Sequence, residues 1–231
     1  MERSDKPLHI LVINPNTTAT MTAKIGAAAE AAASPLTQIT AVNPSAGPAA
    51  IQGPEDGRAA LPGLFQLVEN WLAGPQRVNA IIIACFDDTG LWELKERCPI
   101  PVLGIGEAAY HMASLSAARF SVVTTLSVSV PVLKDNLRQI GLMTRCSKVR
   151  ASEVPVLALE ETGGEGLSKI EAEIAAALAM DNIGAIALGC AGMADLAHDL
   201  STKFKIPVID GVAAAIKLIE TLPKRYNESE I

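Results

Sequence analysis

Two of the four cysteines, Cys85 and Cys190, close apolar runs just ahead of helix-type sequence. The runs are Ala80-Ile-Ile-Ile-Ala-Cys85 and Ala185-Ile-Ala-Leu-Gly-Cys190, with the thiols 105 residues apart. A second matching stretch follows each one, Ile100-Pro-Val-Leu-Gly104 and Ile206-Pro-Val-Ile-Asp210. A single free cysteine is ordinarily a small buried hydrophobe. Two at equivalent points of a repeated unit can face one substrate from opposite sides, which is what a two-base proton transfer requires. At a strand-to-helix turn, unpaired N–H groups and the helix dipole favour the thiolate. Asp87 and Asp88, close to Cys85, oppose that with their charge. Cys98 and Cys146 have no counterpart in the other half and read as structural.

The thiols need a frame, and the hydrophobic pattern supplies one. Apolar runs of five to seven residues alternate with helical patterns, and their continuous rather than alternating character indicates parallel strands covered on both faces. Strands are expected at Leu8–Ile13, Thr37–Asn43, Val78–Ala84, Pro101–Ile105, Arg119–Thr124, Pro155–Leu159, Ile183–Leu188 and Pro207–Ile209. Helices are expected near 18–33, 56–73, 88–97, 107–117, 129–140, 166–181, 192–203 and 211–221, with Asp87 capping the third. Ile10–Asn16 aligns with Phe120–Leu126, so the halves match from their first strands. The fold class is α/β, with two pseudo-symmetric domains, each a small parallel sheet flanked by helices. The first domain comprises residues 1–113 plus 211–231 and the second 114–210, the last helix crossing over to the first.

In open parallel sheets, ligands sit beyond the carboxyl ends of the strands. Four such ends are polar here: Asn14-Pro-Asn-Thr-Thr18, Cys85-Phe-Asp-Asp-Thr89, Thr124-Thr-Leu-Ser127 and Cys190-Ala-Gly-Met193. If the halves face each other, these turns converge on one interdomain cleft. Asn14, Asn16, Thr124 and Thr125 either meet substrate there or close Asx and ST turns. The loop Asn43–Pro48 places Pro48 at the pocket wall.

Composition narrows the class. At 231 residues with 49% hydrophobic and 19% charged residues, the chain has material for a substantial core and is not disordered. A net charge of −6, without a basic cluster or interleaved aromatics, argues against nucleic-acid binding. No apolar run reaches the ~18 residues of a membrane span. The charged opening has no secretory core, and the four cysteines read as reduced thiols of a cytoplasmic protein. Their irregular spacing argues against a metal site, and the low charge density predicts a homo-oligomer.

Ile13-Asn-Pro-Asn-Thr17, Ala84-Cys-Phe-Asp-Asp-Thr-Gly90, Arg119–Leu126 and Leu188-Gly-Cys-Ala-Gly-Met193 together resemble the aspartate/glutamate/hydantoin racemase superfamily, and within it the hydantoin and allantoin racemases. The resemblance spans about residues 8–220. It implies cofactor-independent racemisation of a small-molecule substrate, a 5-substituted hydantoin or allantoin, with Cys85 and Cys190 as the two acid/base groups. It also implies that Asn14, Thr124 and Thr125 bind the polar edge of the ring. The hydantoin ring delocalises a carbanion at C5, so this chemistry calls for no metal or pyridoxal. Phe86, Asp87, Ala191 and Gly192, beside the thiols, are placed to offer backbone N–H groups to the developing oxyanion. Amino-acid racemases of the superfamily usually show Asp-Ser and Cys-Asn-Thr where this chain has Asn14-Pro15 and Cys85-Phe86-Asp87. Hydantoin racemases often carry Gly-Asp-Pro-Gly where it has Asp87-Asp-Thr-Gly90. The alternatives are an amino-acid racemase or maleate-type cis–trans isomerase of the same superfamily, and a non-catalytic protein that binds a small ligand.

Overall fold

Ile10, Leu11, Val12 and Ile13 have no exposed surface at all, so the first strand is covered on both faces. The computed structural model describes residues 7–160 and 165–222; the remaining residues, including both ends of the expected first domain, lie outside the described residues. The first half runs β1 (Leu8–Ile13), α1 (Ala19–Ala32), β2 (Thr37–Val42), α2 (Pro54–Ala73), β3 (Ala80–Ile83), α3 (Leu91–Arg97), β4 (Val102–Gly104) and α4 (Ile105–Ser116). The second runs β5 (Phe120–Thr124), α5 (Val130–Gln139), β6 (Cys146–Ala151), α6 (Glu165–Met180), β7 (Ala185–Gly189), α7 (Ala197–Phe204), β8 (Val208–Ile209) and α8 (Gly211–Thr221). The sheets are entirely parallel, in orders β2-β1-β3-β4 and β6-β5-β7-β8, so the halves share one topology.

Alternation along the strands divides the apolar residues between layers. Ile10 and Val12 of β1, Ile82 of β3, Phe120 and Val122 of β5, and Ala185 and Ala187 of β7 face one central core shared by both halves. Leu11, Ile13, Ile81 and Ile83 face a second core with α2 and α3, and Val123, Ile186 and Leu188 a third with α6 and α7. Burying each such Ile, Leu or Val contributes roughly 1.5–3 kcal/mol. Helices α4 and α8 pack on each other in the central layer; α4 also reaches β7 and β8, and α8 reaches α1, β3 and β4. Glu220 Oε1 of α8 accepts hydrogen bonds from Ser34 N at 2.6 Å and Thr37 Oγ1 at 2.7 Å, tying the last helix to the first sheet. Tyr110 of α4 bridges the halves, edge-on to Phe86 and stacked on Phe120.

Three expected elements differ. The second strand of the second half is Cys146–Ala151, not Pro155–Leu159, which instead enters a 3-10 turn over Val156–Glu160. β6 is an edge strand, so its Cys-Ser-Lys-Val-Arg-Ala sequence mixes polar and apolar residues, and Pro155 has no N–H for a ladder. The expected helix 192–203 is split into a 3-10 helix, Ala191–Leu196, and α7. The helix after Cys85 starts only at Leu91, because Asp88 and Gly90 both hold left-handed φ values, 52° and 72°. Asp87 therefore does not cap it. Among the described residues, no helix is long and apolar enough to cross a membrane.

Candidate active site

Each sheet reverses its winding between its first and third strands, and a crevice opens at such a switch point. Asn14 follows β1 and Cys85 lies just past β3; Thr125 follows β5 and Cys190 follows β7. All four line one cleft between the halves, so both thiols border a single site. Of the residues expected from sequence, Asn14, Cys85, Phe86, Asp87, Thr125, Cys190 and Ala191 border this space. Thr124, Gly192 and Pro48 do not.

Each of those three has a supporting place instead. The Thr124 hydroxyl donates to Gly189 O at 2.9 Å, joining β5 to β7 immediately before Cys190. Gly192 is packed so that an added Cβ would come 3.2 Å from Leu159 and 3.7 Å from the Cys190 sulfur. The Pro48 carbonyl accepts Thr17 N at 3.0 Å and holds the loop over β1. Sequence reading missed Ser129, Ile51, Val156 and Met21 as lining residues; Asn16, weighed there as either a substrate contact or a turn residue, lines the cleft. Ile51 and Val156 are 105 residues apart in the chain and meet because Gln52 Oε1 accepts Val156 N at 3.0 Å. No local motif signals that approach.

Asn14 lines the cleft with its side chain already engaged. Its Nδ2 donates to Asn16 Oδ1 at 2.8 Å and Thr22 Oγ1 at 3.0 Å, and Thr22 donates to Asn43 Oδ1 at 2.8 Å. Asn14 thus orients Asn16, whose Nδ2 has, among the described residues, only the Met21 thioether at 3.3 Å. A thioether is a weak acceptor, which leaves Asn16 as the amide able to donate to a bound ring.

The first thiol is governed by its surroundings. Burial and then the Asp87 carboxylate push the Cys85 thiol far above its ordinary range. The Thr89 hydroxyl, 3.5 Å from the sulfur, and the Asp87 N–H oppose this without reversing it. The thiolate-favouring turn expected from sequence is outweighed, since α3 begins only at Leu91 and two carboxylates stand closer. Asp87 is itself raised to about 6 by burial, which the hydrogen bond from Ser129 Oγ partly offsets. Asp88 points away from the cleft, where its oxygens accept Gly106 N at 3.0 Å and Glu107 N at 2.8 Å at the start of α4. Burial, reinforced by Glu107, raises it well above the carboxylate range. Gly104 and Gly106 are required here: a Cβ on either would collide with Asp88, at 2.0 Å from Oδ1 and 2.7 Å from Oδ2 respectively. Cys98 and Cys146 are buried, apart from the cleft lining. No group of three His, Cys, Asp or Glu suited to a metal ion occurs among the described residues.

Two parallel sheets of identical order with a thiol at each switch point define a pseudo-symmetric two-domain α/β racemase fold. The model of the family described as Asp/Glu/Hydantoin racemase matches residues 10–219. A hydantoin racemase from Rhizobium meliloti is 43% identical over 215 residues, covering 93% of this chain and 88% of that protein. Among solved structures, the allantoin racemase from Klebsiella pneumoniae superposes with a TM-score of 0.88 at 45% identity, covering 93% of this chain and 87% of that one. A glutamate racemase from Bacillus anthracis, at 20% identity and a TM-score of 0.64, shares the fold. The chain belongs to the Asp/Glu/hydantoin racemase family. It is an isomerase, a racemase.

Proposed function

We propose that this racemase inverts C5 of 5-substituted hydantoins, allantoin among them, by proton transfer between Cys85 and Cys190 without a cofactor. The observation that carries the reading is the single cleft lined by both thiols, each from the equivalent strand end of its half. One sulfur, as thiolate, takes the C5 proton, and the other, as thiol, protonates the opposite face. The roles exchange for the other enantiomer. Burial, reinforced by Asp87, favours the thiol form of Cys85, which suits it to donate the proton for one of the two enantiomers. Negative charge leaving C5 gathers on the C4 oxygen, towards which the N–H groups of Phe86 and Ala191 and the Asn16 amide are the available donors. Each such donor is worth about 10²–10³ in rate.

The lining also favours a neutral ring over an amino acid or a dicarboxylate. It contains no Lys, Arg or His to hold a carboxylate, and it carries the Asp87 carboxylate, which would repel one. Relatives named for hydantoin and allantoin lie at 43% and 45% identity.

The test is racemisation in D₂O. Each enantiomer of several 5-substituted hydantoins is incubated with enzyme, and optical rotation is followed together with loss of the C5 proton signal. Rotation should decay with deuterium incorporation. Cys85→Ser and Cys190→Ser should each lower racemisation by at least about 10²-fold, the scale of positioned acid–base catalysis. Each variant should still exchange the proton of one enantiomer only, opposite for the two variants. Full racemase activity in either variant rejects the two-thiol assignment.

A further inference from the structure

Helix α5 buries Asn136 beside Leu133 and Leu137. Asparagine is a poorer helix former than alanine or leucine, and burying its amide is costly unless it is hydrogen-bonded. The Asn136 Nδ2 donates to the Asp87 carbonyl at 2.9 Å, 49 residues back in the chain and in the other half. That carbonyl lies in the turn that carries the first thiol. Ala84 N donates to Ile13 O at 2.7 Å ahead of the turn, and Asp88 N closes it on Cys85 O at 3.0 Å. The Asp88 carboxylate fixes the far end on the N–H groups of Gly106 and Glu107. Those ties belong to the first half. Asp87, between them, is gripped from the second: Ser129 Oγ donates to its carboxylate at 3.1 Å and Asn136 to its carbonyl. The Asp87 N–H in turn addresses the Cys85 sulfur.

Helix α1 holds the place in the first half that α5 holds in the second, and it packs on the 3-10 helix that follows Cys190. Each half's first helix thus braces the thiol turn of the other. We infer that Asn136 is a positioning residue for Cys85: by holding the Asp87 carbonyl from the opposite half, it fixes the turn that aims the first sulfur into the cleft. The catalytic consequence rests on the two-thiol reading above; the placement of the sulfur rests on the hydrogen bond alone. A misplacement of about 1 Å can cost about 10²-fold in rate. Here it falls on one sulfur of the two, so the defect should be one-sided.

The test uses Asn136→Ala, which removes the amide, and Asn136→Leu, which keeps its bulk without a donor. C5 proton exchange in D₂O is measured for each enantiomer of a 5-substituted hydantoin, and Cys85→Ser shows which enantiomer depends on Cys85. Exchange of that enantiomer should fall about 10- to 100-fold in both Asn136 variants, and racemisation with it, while the other stays within about threefold. An equal fall for both enantiomers, as a defect of folding or of ring binding would give, overturns the inference. So does a fall for neither, or one confined to the enantiomer that depends on Cys190. A second readout needs no turnover. Alkylation by iodoacetamide, mapped by mass spectrometry, compares Cys85 with Cys190 in the same molecule. Their rate ratio should change at least about threefold in both variants, because the N–H donor to the thiolate moves with the Asp87 turn. An unchanged ratio overturns the inference. If the wild type exchanges no hydantoin, or Cys85→Ser still exchanges both enantiomers, the two-thiol reading fails, and the alkylation ratio alone decides the place of Asn136.

Discussion

Replacing Asp87 by asparagine preserves the volume of the side chain and its contact with Ser129, and removes a charge that the cleft partly encloses. The folded-state carboxyl titrates at about 6 against an ordinary 3.8, mainly because of burial. Since the folded value lies above the unfolded one, the wild-type carboxyl supports folding fully below about pH 3.8 and loses that support as the pH rises through about 6. At ~1.36 kcal/mol per pH unit, the span corresponds to about 3 kcal/mol at neutral pH. The side chain is only half-buried and borders open solvent, so screening reduces this to about 1.5 kcal/mol. A chain of this length shifts its Tm by roughly 2–4 °C per kcal/mol, so Asp87→Asn should melt about 3–6 °C above the wild type at pH 7.5. Near pH 4 the gap should close, because the folded wild-type carboxyl is then protonated. Thermal unfolding of both proteins followed by circular dichroism across pH 4–8 tests this. An equal gap at every pH, or a less stable variant at pH 7.5, would refute the burial account of Asp87.

Two further perturbations probe the frame behind the site. Gly189→Ala would set a Cβ 2.6 Å from Thr124 Cβ and 2.7 Å from Thr124 Cα, inside the β5–β7 ladder. That overpacking should cost about 1–3 kcal/mol in urea unfolding. It should also lower kcat by displacing the adjacent Cys190, and a variant with wild-type stability and rate would contradict the geometry. Arg150 and Asp181 form a buried pair, 5% and 6% exposed and 2.7 Å apart, which Ser121 and Glu173 complete. Arg150→Met should cost about 3–5 kcal/mol, because Asp181 is left buried without its cation. Adding Asp181→Leu should recover much of the loss; no recovery in urea unfolding would show that the deficit is one of packing alone.

Much of this protein is written in local sequence. Continuous apolar runs specified the parallel strands of both sheets and placed Cys85 and Cys190 at strand ends, because burial on two faces demands hydrophobic residues at successive positions. The repeated Cys and Ile-Pro-Val stretches disclosed the duplication, and with it the pairing of the thiols. The edge strand β6 escaped detection, since a strand with one neighbour keeps a mixed composition that resembles a loop. What only the tertiary structure decided are relations between distant residues. Asp88, three residues after Cys85, is turned by a left-handed φ to cap α4 eighteen residues on, while Asp87 faces the cleft. Asn14 is consumed in orienting Asn16, Thr124 in joining two strands, and Ile51 and Val156 line one cleft where Gln52 bonds Val156. The sign of the shift on the Cys85 thiol belongs to this group as well, because burial and an adjacent carboxylate outweigh the turn. A residue's type specifies what it can do; which partners reach it, and how much water stays around it, is set by the packing of both halves.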